Sequence, residues 1–167
     1  MNSIVKYSGI FVLLMLLQFL VFSNIQFSGY VNPYVYVMLI IILPLNMPSW
    51  IVLIVAFMTG FTVDVFSGTM GVHTFATVLA GFLRPWIISL NITREAADPV
   101  TAPSVQNNGL RWFFTFTLLV VLVHHLALFY VEVFSLSGFF RTFLRAIVST
   151  AFTTFFIVLF NLVGSRR

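Results

Sequence analysis

The chain has 167 residues, 60% of them hydrophobic and only 7% charged, with a mean hydropathy of +1.09. Roughly a quarter of the residues of an ordinary soluble domain are charged, so this chain cannot build a water-facing shell and most of its surface must face lipid. The net charge of +4 comes from scattered basic residues with no basic stripe, which argues against nucleic acid, and the lack of Cys removes disulfides, thiolate metal sites and a cysteine nucleophile together.

A membrane-spanning helix needs about 20 mostly apolar residues. Six segments fit or approach that requirement: 7–22, 31–45, 50–65, 71–90, 111–134 and 139–163. The first follows Lys6 and has the look of a signal peptide, but no small-residue cleavage site follows it, so it is expected to remain as a span. The second is short and framed by Pro33 and Pro44; it is read as a steep span, one extended through Asn46, or a partly re-entrant segment. The remaining four are longer and apolar on all sides. A bilayer admits only helices or closed barrels, and the short alternating segments of a barrel are not seen. The expected fold is therefore an all-α integral membrane protein, a single bundle of six transmembrane helices. Residues 91–110 form the one long polar connection, holding Arg94, Glu95, Asp98, Pro99 and Pro103, and are read as a flexible cytoplasmic loop.

Lys and Arg near span ends set orientation. Six spans put Lys6, Arg94, Arg111, Arg166 and Arg167 on one side, against Arg141 and the deeper Arg145 on the other. Both termini are thus expected in the cytoplasm. The basic excess there suits anionic headgroups.

Charges inside a bilayer are costly and merit individual reading. Asp64 closes the third span and Glu132 the fifth, while Arg141 and Arg145 open the sixth one turn apart on one face. At least one Arg–acid pair is expected among these four. Such a pair either locks spans three, five and six together or marks a ligand or ion site. Arg84, followed by Pro85, is expected to snorkel toward the cytoplasmic headgroups, with Pro85 weakening the helix one turn back. His124, Leu128 and Glu132 share a helical face, and a buried, hydrogen-bonded His124 is the expectation rather than a metal or proton relay.

Ser67 and His73 flank one turn and invite a serine-nucleophile reading, but Val65-Phe66-Ser67-Gly68 lacks the first glycine of the rhomboid-protease pattern. No zinc-protease motif and no glycine-rich phosphate cradle is present. No catalytic, metal or cofactor site is expected.

The most distinctive stretch runs Gly60-Phe61-Thr62-Val63-Asp64-Val65-Phe66-Ser67-Gly68-Thr69-Met70-Gly71-Val72-His73. A helix runs into an acid, a small-residue turn follows, and Gly-x-His opens the next helix. With Gln18, the Asn32-Pro33-Tyr34 to Leu43-Pro44 frame and Arg84-Pro85 at a fitting distance, it resembles the rod-shape-determining MreD family along nearly the whole chain. The resemblance implies a non-catalytic scaffold of the bacterial cell-elongation complex. Its implied partners are MreC first, then the MreB cytoskeleton, the RodA glycosyltransferase and a class B penicillin-binding protein. The family motif carries over onto Gly60, Asp64, Ser67, Gly68, Gly71 and His73. These residues also make sense as a helix–turn–helix, with glycines in the turn and Asp64 or Ser67 as a cap. The family is similar in fold to the six-helix substrate-binding subunits of vitamin uptake transporters. A solute-binding transport subunit is therefore the competing function, with a polar pocket around Asp64, His73 and Arg145. Fold alone does not choose between the two.

Overall fold

The structure, a computed structural model, describes residues 3–24, 31–91, 101–134 and 138–164. The expected orienting charges Arg94, Arg166 and Arg167, and the acids Glu95 and Asp98, lie outside the described residues. Among the described residues the regular structure is helical: α1 (Ser3–Leu20), α2 (Met38–Ile41), α3 (Ser49–Ser67), α4 (Val72–Asn91), α5 (Val105–Asn108), α6 (Leu110–Val133) and α7 (Phe139–Gly164), with single 3-10 turns at Phe22–Asn24 and Val35–Val37. Three helices, α3, α6 and α7, are long and apolar enough to cross a membrane. The apolar run of α1, Val5–Leu20, is shorter.

Polarity is distributed inside out. The buried face of α7 is Thr142, Ala146, Ser149, Thr150, Thr153, Thr154 and Ile157, a stripe at helical spacing and mostly hydroxyl-bearing. Its outer face carries Phe140, Leu144 and Phe155, well exposed. Met70 is 100% exposed, Phe134 91% and Leu90 79%. A water-facing bundle would bury such side chains. Small and hydroxyl residues inward with large apolar ones outward is the arrangement that a hydrocarbon surrounding favours.

The helices pack in the order α3 on α4, α4 on α6 and α6 on α7. Gly60 sets the closest approach. A Cβ there would stand 2.5 Å from the Thr74 Cα and 2.7 Å from the His73 carbonyl oxygen. Gly81, about two turns along α4 from Thr74, faces Ala56, whose Cβ would stand 3.1 Å from a Cβ added there. Small residues therefore let the two helices approach closely, backbone against backbone at Gly60. Ala56, Gly60 and Ser149 are all buried within the bundle.

Residues 31–45 depart from the expected helix. The chain is not helical through Tyr34, makes one 3-10 turn at Val35–Val37 and one α-turn at Met38–Ile41, and then turns at Pro44. Two features break the helix. Asn32 precedes Pro33 and is pushed toward extended backbone, and Pro33 and Pro44 cannot donate backbone hydrogen bonds. The segment is the most deeply buried of the molecule: Val35, Tyr36, Val37, Ile40 and Ile41 are all at 0% exposure. It runs up the centre of the bundle rather than beside it.

Of the loop expected over 91–110, residues 92–100 lie outside the described residues, and 101–110 are held in place by hydrogen bonds. Ser104 caps α5 by accepting from Asn107 N at 3.0 Å, and Val105 N donates to Asn161 Oδ1 of α7 at 2.9 Å. Helix α4 continues through Pro85.

Candidate functional site

The α3–α4 turn is built around one carboxylate. Asp64 accepts from His73 N at 3.0 Å, from Thr74 N at 2.8 Å, and from the hydroxyls of Thr69 and Thr74. It thereby caps the first turn of α4, whose N–H groups have no helical partner. Gly68 ends α3 in the left-handed conformation at φ 67°, with its N–H bonded to the Asp64 carbonyl, and Gly71 takes φ 83° before α4 begins. A side chain would be strained at either position. Gly60, Asp64, Gly68, Gly71 and His73 are thus brought together as one hairpin. Ser67 sits beside it, exposed. No hydrogen bond joins Ser67 to His73 among the described residues, and His73 Nδ1 is taken by Tyr36, so the serine-nucleophile geometry is not formed.

Tyr36 projects from the broken central segment and links two histidines. Its hydroxyl lies 2.8 Å from His73 Nδ1 and 2.8 Å from His124 Nε2. A phenol has one proton to give. His124 Nδ1 is buried without a partner, so the arrangement that strands no proton has His124 donate from Nε2 to Tyr36, which donates in turn to His73. His124 is the buried, hydrogen-bonded histidine the sequence leads one to expect. His125 is placed with Nδ1 2.9 Å from the Val121 carbonyl and Nε2 3.3 Å from the Thr153 hydroxyl.

The non-helical stretch 31–34 has its backbone satisfied by side chains from elsewhere. Asn32 N donates to the Ser149 hydroxyl at 3.1 Å, Tyr34 N to that of Thr153 at 3.1 Å, and Gln18 Nε2 to the Pro33 carbonyl at 3.3 Å. Ser149 and Thr153 are one turn apart on α7 and serve alternate residues of the extended strand. At the other end of the segment Arg84 performs the matching task. It is 1% exposed, and its Nη2 donates to the carbonyls of Leu43 and Pro44. Its guanidinium lies 5.8 Å over the Phe116 ring. Arg84 therefore turns into the bundle instead of snorkelling outward, because the Leu43 carbonyl, freed by the break at Pro44, needs a donor there.

Among the described residues the expected Arg–acid pair is present between Arg145 Nη1 of α7 and Glu132 Oε2 of α6 at 3.3 Å. Arg145 also stacks 4.2 Å over Phe129, and its Nη2 reaches the Asn32 amide oxygen at 2.6 Å once that amide is turned to face it. Asp64 is not paired with an arginine. Among the described residues α3 is held by its cap, and the ion pair joins α6 to α7. Arg141 opens α7 one turn before Arg145, exposed.

These groups surround a cleft of about 230 Å³ at the Asp64 end of the bundle. Gln18, Asn32, Tyr34, His73 and Glu132 line it, together with Ser67 and Thr69. Gln18 Oε1 is buried without a hydrogen-bond partner. Among the described residues no group of three His, Cys, Asp or Glu side chains is placed to hold a metal ion. Residue patterns did not single out Tyr36 or Thr153. The one visible signal was the run of Ser and Thr at helical spacing in 142–154.

In comparisons with protein-family models, curated proteins and solved structures, nothing matches the chain.

Proposed function

We propose that this chain is a six-pass, non-catalytic scaffold of the bacterial cell-elongation complex, seated in the inner membrane and coupled first to MreC. Through MreC it would act with MreB, RodA and a class B penicillin-binding protein. The reading rests on the Gly60–His73 stretch, whose resemblance to the MreD family is supported by the physical coherence of the same residues as one hairpin.

Six passes are supported by the course of residues 31–45. Their start bonds to Ser149, and Tyr36 bonds to His73 at the first turn of α4, while their end bonds to Arg84. His73 and Arg84 are separated by about 16 Å of helix rise. The segment therefore travels in the same direction as α4, and α1, 31–45, α3, α4, α6 and α7 alternate. Irregular backbone at membrane depth is tolerated where protein buries it, and Val35, Tyr36, Val37, Ile40 and Ile41 of this segment are fully buried. Lys6 and Arg111 then share the Arg84 end, which the positive-inside bias assigns to the cytoplasm. A non-catalytic role is supported by the engagement of Asp64 and Arg84 in contacts that hold the backbone, and of His73 and His124 with the Tyr36 hydroxyl.

The test is co-expression with tagged MreC from the same organism and co-purification in mild detergent. A stable pair supports the scaffold. A folded, monodisperse chain that never retains MreC contradicts it.

One observation favours the competing solute-binding reading, the outer cleft with its unpartnered Gln18 oxygen. Under that reading a small polar solute raises the thermal midpoint, because a ligand of the folded state stabilises it, and Gln18→Leu abolishes the rise. Stabilisation by MreC and by no small solute leaves the scaffold standing.

A further inference from the structure

On the opposite, Arg84 end, α1 and α3 do not close on each other. Between them runs a groove of about 680 Å³ whose floor is the central segment at Leu39, Leu43 and Pro44. Phe11 forms one wall, Ile54 and Met58 the other. Toward the far end the gap is shut, where Phe19 of α1 meets Phe66 of α3 with ring centroids 4.9 Å apart. At the near end stand Lys6, Tyr7 and Ser8. The groove is thus a blind apolar slot with one polar, cationic mouth.

The charge at that mouth is unbalanced. Lys6 has no carboxylate partner among the described residues; its ammonium lies 5.8 Å over the Tyr7 ring. Directly behind the Leu43–Pro44 floor is the buried guanidinium of Arg84, which bonds only to carbonyls and whose Nε has no partner. Two positive charges without an anion favour an acidic group at this end.

We propose that this groove is a binding site for one anionic phospholipid, with an acyl chain along the slot and the headgroup phosphate on Lys6. The lining selects this occupant over a partner helix. Helices associate in membranes through small residues that permit close backbone approach, whereas bulky apolar side chains, Phe11, Ile54 and Met58 among them, form most of this slot and hold a second backbone away. The unbranched side chains of Met47 and Met58 can mould to a flexible chain. A zwitterionic lipid would leave the two charges unbalanced. The proposal rests on the six-pass reading, which puts Lys6 at the anionic cytoplasmic leaflet.

The experiment is native mass spectrometry of the full chain, exchanged into detergent with equal amounts of phosphatidylglycerol and phosphatidylcholine. One retained phosphatidylglycerol per chain, in clear excess over phosphatidylcholine, is expected. Lys6→Gln lowers that excess roughly fivefold, the effect of about one surface lysine on an anionic lipid. Arg111→Gln, a control on α6 outside the groove, leaves it unchanged. Ile54→Trp, which fills the slot from its exposed wall, lowers retention of both lipids. Equal retention of the two lipids, no retained lipid on a folded chain, or an equal loss from Lys6→Gln and Arg111→Gln each overturns the proposal. A second protein that co-purifies and displaces the lipid also overturns it. Failure of the six-pass reading is seen separately, as labelling of Ser23→Cys and Met47→Cys from the same face of sealed membranes.

Discussion

The α3–α4 hairpin and the central segment 31–45 both hold polar groups in the interior, yet they satisfy them by opposite means. In the hairpin the partners are local. Asp64 bonds to Thr69, His73 and Thr74, all within ten residues. In the central segment they are remote, from Gln18 of α1, Arg84 of α4 and Ser149 and Thr153 of α7. The hairpin can form as soon as its two helices exist. The central segment can be stable only when the whole bundle has closed around it, because buried backbone groups without partners are costly.

That difference is open to measurement by thermal unfolding of the full chain in mild detergent. The largest loss is expected from Asp64→Ala, on the order of 4 kcal/mol, since it removes several hydrogen bonds to one charged group. Asp64→Asn keeps part of the acceptor capacity and should lose about half as much. If Asp64→Ala costs nothing, the hairpin is not held as described. Next comes the double change Ser149→Ala with Thr153→Val, at about 3 kcal/mol, because it strands the N–H groups of Asn32 and Tyr34. Hydrogen exchange should then rise at residues 31–37 before it rises at 64–74; simultaneous loss of both regions would erase the contrast between local and remote support.

Gly60→Ala sharpens the hairpin side. Its methyl would meet the backbone of α4, so the helices must part, at about 2 kcal/mol, while Gly9→Ala, with open space around it, serves as the neutral control. The smallest effect is expected from Glu132→Gln. The pair with Arg145 is partly exposed, with side-chain exposures of 45% and 22% for Glu132 and Arg145, and such pairs contribute under about 1 kcal/mol. A much larger loss would mean that Glu132 also organises the cleft it lines.

The same contrast explains what the sequence makes legible. Asp64, Gly68, Gly71 and His73 lie within one short stretch, and turn chemistry reads directly from such a stretch. The long helices α3, α6 and α7 are equally plain, because length and hydropathy decide them. Pro33 and Pro44 signal that 31–45 is irregular but not that it occupies the centre. Which side chains would satisfy it depends on tertiary placement, so Tyr36 and Thr153 pass unnoticed. Arg84 shows the point most clearly. Its position in the sequence suits an interface residue reaching outward, and only the carbonyls of Leu43 and Pro44, some 40 residues away, turn it inward. The Arg145–Glu132 pair is foreseeable from the scarcity of charge alone, although scarcity does not reveal that Asp64 stands apart from it.

The chain contains no cysteine, which makes single-cysteine labelling from either side of sealed membranes the most direct test of the six-pass claim. Ser23→Cys, Met47→Cys and Met70→Cys bracket the central segment and α3. The account predicts that Met47→Cys labels from the cytoplasmic face and the other two from the opposite face. Labelling of Ser23→Cys and Met47→Cys from the same face would mean that residues 31–45 do not cross, and would contradict it.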